Sequence, residues 1–290
     1  MSTSAQKSEK KKPNLMFGPP PAKRLDVEPS KKEVQFFRDE GYLVVERLTT
    51  DEEIAWLRKI FEYIFSPEHA KALGNVVDRS GTLKDGKEPN LTQSFYPEME
   101  FPELFETNHW RNAKRYAAAL LGVDDNRLTS WGHMIRKGPG GNAALWHQDH
   151  AYWPPEFDFH ALGVWLPLHD VTVEMGCMQF IPKSHKRGLM KHAHQDAPQH
   201  NVLQVAEPFD AKSAAACPLK AGGATFHYQE TLHYTAPNTT NQPRLAFPME
   251  FQIDPVRREK PFDMPWMEEL RAATGNRKTL HVADGRIREL

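Results

Sequence analysis

Residues 146–149 read Trp-His-Gln-Asp. In an extended segment, residues i and i+2 point to the same side. His147 and Asp149 can therefore grip one cation together while Gln148 points away. A neutral imidazole and a carboxylate are two members of the facial triad that holds non-haem Fe(II) and leaves three coordination positions open. The third donor must come from another strand. The stretch GGATFHYQETLHYTAPNTTNQPR, residues 222–244, offers two candidates, His227 and His233. They lie six residues apart, so strand parity does not separate them. Arg244 then opens the strand-like RLAFPMEF. Its planar fork takes a carboxylate bidentately, which suits a dicarboxylate co-substrate at the back of a metal pocket. Each element alone is weak. A chain with 14 histidines contains H-x-D by chance, and a lone arginine is often a surface ion pair worth ~0–1 kcal/mol. In combination they point to metal-dependent oxidation. Tyr152, Trp153 and Trp131 are candidate substrate-facing aromatics, and Pro154-Pro155 makes their stretch a stiff loop.

The elements that must position these groups follow from periodicity. Ser30 and Gly41 bracket a short helix, and Tyr42 to Val45 read as a strand. Thr50 precedes a helix with apolar residues recurring every three or four positions at Ile54, Leu57, Ile60, Phe61, Ile64 and Phe65. Residues 66–100 read as loops with short strands. A further helix lies within Pro102 to Leu121 and stops at Gly122. After Arg127, short apolar runs alternate with Gly, Pro and Asn breaks, the texture of a sandwich or jelly roll. Helices first and strands afterwards predict a mainly β fold with flanking helices: a double-stranded β-helix core packed by N-terminal helices. Near the end, Asp263 and Pro265 open a short helix closed by Gly275. Asp284-Gly285 is a turn between two short strands.

Composition narrows the partners. The 290 residues carry 37 basic and 38 acidic side chains, a net of −1. Residues 1–24 hold six cations against Glu9, a net of +5 that leaves −6 for the rest. Residues 1–28 read as a disordered basic tail. Residues 29–290 read as one jelly-roll domain, with 261–290 a C-terminal extension. A folded part near −6 does not suit nucleic acid, and no apolar run is long enough to span a membrane. Two cysteines make no disulfide framework, and the first residues lack the apolar segment of a secretory signal. A cytoplasmic setting and a small-molecule substrate are the expectation, with oligomeric state unread.

Four blocks together carry a family resemblance: DEGYLVV from Asp39, WHQDHAYW from Trp146, WLPLHDVTVEMGCMQFIPKSH from Trp165, and HYTAPNTTNQPR from His233. The chain resembles the phytanoyl-CoA dioxygenase family of Fe(II)/2-oxoglutarate oxygenases, over about Glu33 to Ile253. The resemblance implies Fe(II), 2-oxoglutarate and O2, with His147, Asp149 and His233 as iron ligands. Arg244 at +11, Thr235 at +2 and the Pro237-Asn238 turn favour His233 over His227. Arg244 would pair with the far carboxylate of 2-oxoglutarate, and Thr235 would add a hydroxyl. Trp165, Met134 and Gln93 would line the co-substrate pocket. An Asp at 149, where Ala or Gly would leave room for a halide, favours hydroxylation or a related C–H oxidation. The competing readings are a cupin-type metalloprotein that needs no 2-oxoglutarate, and a non-enzymatic module of the same fold.

Overall fold

The computed structural model describes residues 15–69, 76–78, 90–195, 202–275, 280–283 and 286–289. Helix α1 (Lys31–Glu40) starts at a reciprocal box: Ser30 Oγ accepts from the Glu33 backbone, and Glu33 accepts from the Ser30 backbone. It stops at Gly41, whose φ of 86° only glycine adopts without strain. Thr50 caps α2 (Asp51–Ile64) and Thr107 caps α3 (Asn108–Leu121). The run from Pro102 to Glu106 is a separate 3-10 turn, so α3 begins later than its sequence suggests. Glu53, on the first turn of α2, reaches across to accept from the Asn108 and His109 backbone N–H groups. One helix thus caps the positive end of the next. Helix α4 (Pro265–Thr274) follows Asp263 as expected.

The larger sheet contains β1 (Tyr42–Val45), β2 (Val76–Asp78), β3 (Leu91–Phe95), β4 (Thr129–Lys137), β6 (Ala161–Pro167), β9 (Ala224–Tyr228) and β11 (Arg244–Gln252). Its order is β1-β9-β6-β11-β4-β3-β2, antiparallel throughout. The smaller sheet contains β5 (Ala144–His147), β7 (Met178–Phe180), β8 (Ala215–Cys217) and β10 (His233–Thr235), in the order β8-β7-β10-β5. This is the expected jelly roll.

Strand β11 shows how the layers form. All nine of its residues are buried. Leu245, Phe247, Met249 and Phe251 join the apolar faces of α2 and α3, including Leu57, Ile60, Phe61 and Trp110. Arg244, Pro248 and Glu250 face the cavity between the sheets. Fully burying each apolar side chain contributes ~1.5–3 kcal/mol, so this helix-backed face holds the cavity wall rigid.

The expected tail is shorter than its composition suggests. Leu15–Phe17 form a 3-10 turn, and Phe17 packs its ring on Tyr63 and Phe101. The Trp56 indole donates to the Phe17 carbonyl, while the Leu25 and Val27 backbones donate to Asn108 and Asn112 of α3. Buried asparagines on α3 give this extended backbone hydrogen-bond partners, which composition alone does not reveal. Residues 1–14 lie outside the described residues. So does the Asp284-Gly285 turn, although the strands on either side, Leu280–Ala283 and Arg286–Glu289, pair as expected. No described helix is long and apolar enough to cross a membrane.

Candidate active site

Strands β5 and β10 pair with His147 directly opposite His233, which closes the 86-residue gap between the two imidazoles. Asp149 is not on the strand. It is the first residue of a 3-10 turn, Asp149–Tyr152. Gln148 remains extended (φ −117°, ψ 137°), so the alternation survives long enough to bring Asp149 to the same side as His147. One ligand atom from each of His147, Asp149 and His233 lies within 4.8 Å of the others.

The orientation of these groups suits a cation. His147 Nδ1 bonds the Leu145 carbonyl at 2.5 Å, and His233 Nδ1 bonds the Thr231 carbonyl at 2.9 Å. A carbonyl accepts only, so each Nδ1 carries the proton and each Nε2 presents its lone pair. Both Nε2 atoms face Asp149 Oδ1, at 3.8 and 3.5 Å. Burial pushes His233 well below the usual imidazole range and keeps it neutral. Burial alone would raise the Asp149 carboxyl, but the imidazoles of His233, His227 and His147 outweigh it and hold the group ionised. Two neutral imidazoles and a carboxylate are the forms a divalent metal takes. The donor set fits Fe(II).

Three further groups, beyond the three ligands, support this set. His227 donates its Nε2 side to Asp149 Oδ2 at 3.0 Å and so fixes the carboxylate. Its ring lies over Gly163, where a Cβ would meet it at 2.7 Å. Gln148, expected only to point away, is wholly buried and spans three chain segments. It donates to the carbonyls of Gly188 and Glu230 and accepts from the Met190 backbone. Tyr152 sets its ring edge-on to His147 at 5.6 Å.

The triad opens on a cavity of about 690 Å³, a size that accommodates small organic ligands. Gln93, Trp131, Tyr152, Trp153, Trp165, Thr235 and Arg244 line it, as expected. Met134 does not. It lies wholly buried in the helix-side core, while its neighbours His133 and Ile135 face the cavity. One step in strand parity moves a side chain to the opposite face.

At the rear, Arg244 is 2% exposed. It donates Nη1 to the Gly176 carbonyl at 2.6 Å and sits 5.2 Å over the Trp165 ring, and its Nε is buried without a partner. Directly across the strands lies Lys137, absent from the sequence-based candidates and wholly buried. Its Nζ bonds Thr235 Oγ1 and the Ala236 carbonyl, both at 2.8 Å. Burial, and then the Arg244 charge, pull the Lys137 pKa down to about 6. Burial lowers that of Arg244 to about 10. Among the described residues neither forms an ion pair. Two buried basic groups placed opposite each other disfavour each other's charge, and an anionic ligand favours the charged form of both.

The sequence profile of the phytanoyl-CoA dioxygenase family matches residues 37–246. The chain belongs to the phytanoyl-CoA dioxygenase family. It is 28% identical over 255 residues to phytanoyl-CoA dioxygenase domain-containing protein 1 of Danio rerio, covering 74% of this chain and 87% of that one. It is 24% identical over 246 residues to a phytanoyl-CoA dioxygenase of Arabidopsis thaliana, covering 74% and 86%. Among solved structures, EvdO2 from Micromonospora carbonacea var. aurantiaca in complex with 2-oxoglutarate superposes with a TM-score of 0.72. The two are 30% identical, and the match covers 83% of this chain and 98% of EvdO2. This family member is an Fe(II)/2-oxoglutarate-dependent dioxygenase.

Proposed function

We propose that His147, Asp149 and His233 hold the iron, that Arg244 and Lys137 receive the far carboxylate of 2-oxoglutarate, and that the enzyme hydroxylates a C–H bond of a small organic substrate. The observation that carries this reading is the meeting of the triad with a cavity whose rear wall holds two buried basic side chains that form no ion pair among the described residues. Bound there, ferrous iron and 2-oxoglutarate supply the oxidising chemistry: O2 and 2-oxoglutarate become succinate and CO2, and the second oxygen atom enters the substrate C–H bond.

The chain's own residues do the rest. The backbone carbonyls of Leu145 and Thr231 hold the two imidazoles as metal-binding tautomers. His227 occupies one Asp149 oxygen and leaves the other for the metal. Thr235 accepts from Lys137 Nζ through its hydroxyl and so aims that group at the co-substrate, and the hydroxyl's own proton is there to donate to the carboxylate. Trp165 backs the Arg244 guanidinium and keeps water from it. Tyr152 and Trp153 wall the substrate side, with α4 behind them, where the Trp266 indole donates to the Ala151 carbonyl. A metalloprotein with no use for 2-oxoglutarate has no need of a buried Arg244, which is why that reading is set aside.

The test is succinate formation from 2-oxoglutarate with Fe(II) and O2, first without a substrate and then with a panel of small molecules. The expected result is slow turnover alone, stimulation by the right substrate, and loss of both in Asp149→Ala. Turnover by Asp149→Ala equal to that of the unaltered enzyme overturns the assignment.

A further inference from the structure

The cavity is polarised, and its far end is as unusual as its rear. Along β11, Glu250 lies six residues beyond Arg244, roughly 20 Å at ~3.3 Å per residue. It faces the same cavity and is 8% exposed. Its Oε2 is buried with no hydrogen-bond partner. Its cross-strand neighbours are Trp131 on one side and Gly163 on the other, and Gly163 is covered by the His227 ring that holds Asp149. Glu250 thus belongs to the same row of the sheet as the support of the triad. Trp131 packs with Phe95 and His133, with ring centroids 6.4 and 5.3 Å away, so aromatic surface lies beside the acid. The cavity's two cationic side chains, Lys137 and Arg244, are both at the rear.

We propose that Glu250 and Trp131 form a recognition site for an ammonium group of the substrate, and so determine which molecules are oxidised. This rests on the oxygenase reading above. A buried carboxylate accepts hydrogen bonds and needs donors, and an ammonium offers three and no acceptor. An aromatic face within ~6 Å of a cation adds attraction that grows as water is excluded. The same polarity keeps the two small molecules apart: the dicarboxylate is drawn to Lys137 and Arg244, whereas an amine is repelled there and drawn to Glu250. Burial and the nearby Asp149 raise the Glu250 pKa well above the usual carboxylate range.

The experiment is calorimetric titration of the anaerobic protein, loaded with Fe(II) and 2-oxoglutarate, with benzylamine, benzyl alcohol and benzoate as probes. The expected result is that benzylamine binds at least tenfold more tightly than the alcohol, with benzoate weakest. Glu250→Gln should abolish the preference, and Trp131→Leu should reduce it. Benzylamine binding no tighter than the alcohol, including no binding by either, overturns the proposal without needing any variant. So does an unchanged preference in Glu250→Gln. Affinity for 2-oxoglutarate and substrate-independent succinate formation, measured on the same samples, report on the oxygenase reading separately. Both should be present in the unaltered protein whether or not it prefers benzylamine.

Discussion

The two walls of the cavity hold their functional side chains by different means. On the smaller sheet, His147 and His233 sit on strands of four and three residues, and Asp149 on a 3-10 turn. Short elements fix little, so each group is tied locally: the imidazoles to carbonyls two residues back, and the turn through Gln148. On the larger sheet, Lys137, Trp165, Arg244 and Glu250 sit on strands of seven to nine residues. There alternation and register fix direction, and the helix-backed core keeps the register. The metal wall is therefore specified by nearby residues and the ligand wall by the whole sheet.

The largest effect that separates the walls is expected on the metal side. Asp149→Ala or His233→Ala should cost more in iron affinity than the ~10–100-fold typical of a supporting residue. Binding of 2-oxoglutarate to the metal-free protein should survive weakly through Arg244. Metal analysis after dialysis and equilibrium dialysis of the co-substrate read the two walls independently.

Arg244→Ala comes next. Removing one member of a buried charge pair costs ~2 kcal/mol or more, a rise of roughly 30-fold in the KM for 2-oxoglutarate. Iron content should stay unchanged, because Arg244 lies on the larger sheet and is not one of the three ligands. Arg244→Lys should recover little of the loss, since a point charge does not replace the fork.

The walls meet at Gly163. Gly163→Ala puts a Cβ within 2.7 Å of the His227 ring and must displace it from Asp149. Iron affinity should fall by ~10-fold, and the KM for 2-oxoglutarate should hold. Gln148→Ala should give a similar loss from the opposite wall. A larger loss from Gly163→Ala would show that the larger sheet governs the metal as well.

The same comparison explains what could be read from the sequence. Local features were legible: the Ser30 cap, the Gly41 stop, the helix after Thr50, the His147-x-Asp149 pair, and the Asp263–Gly275 helix. His233 and Arg244 were legible because their mutual spacing survives in a short stretch. What failed depends on the sheet. Met134 was assigned to the wrong face because β4 carries apolar residues on both sides, so its pattern does not reveal which one is the cavity. Lys137 and Glu250 were passed over because nothing in a linear chain shows that Lys137 lies opposite Arg244, or that Glu250 lies beside the glycine under His227. The 15–28 segment was misread because its partners, Asn108 and Asn112, lie more than 80 residues away.

The smallest expected effect is on stability. In the native state the Lys137 pKa is about 6, against 10.5 when exposed. Between these values the unfolded chain holds the extra proton, so Lys137 costs the native state stability that is regained as pH rises. Lys137→Met should raise Tm by a few degrees near pH 6, with the advantage fading towards pH 10.5. Weaker binding of 2-oxoglutarate should accompany it. Thermal melts across that range, with and without the co-substrate, check both signs.

The most direct test of the whole account is an anaerobic titration of the metal-free protein with Fe(II) at saturating 2-oxoglutarate, followed by the visible charge-transfer absorption of iron chelated by a 2-oxo acid. One equivalent of iron per chain should saturate the signal, and the His147→Ala, His233→Ala double variant should produce none. A full signal in that variant, or iron bound by the unaltered protein without any co-substrate band, would contradict it.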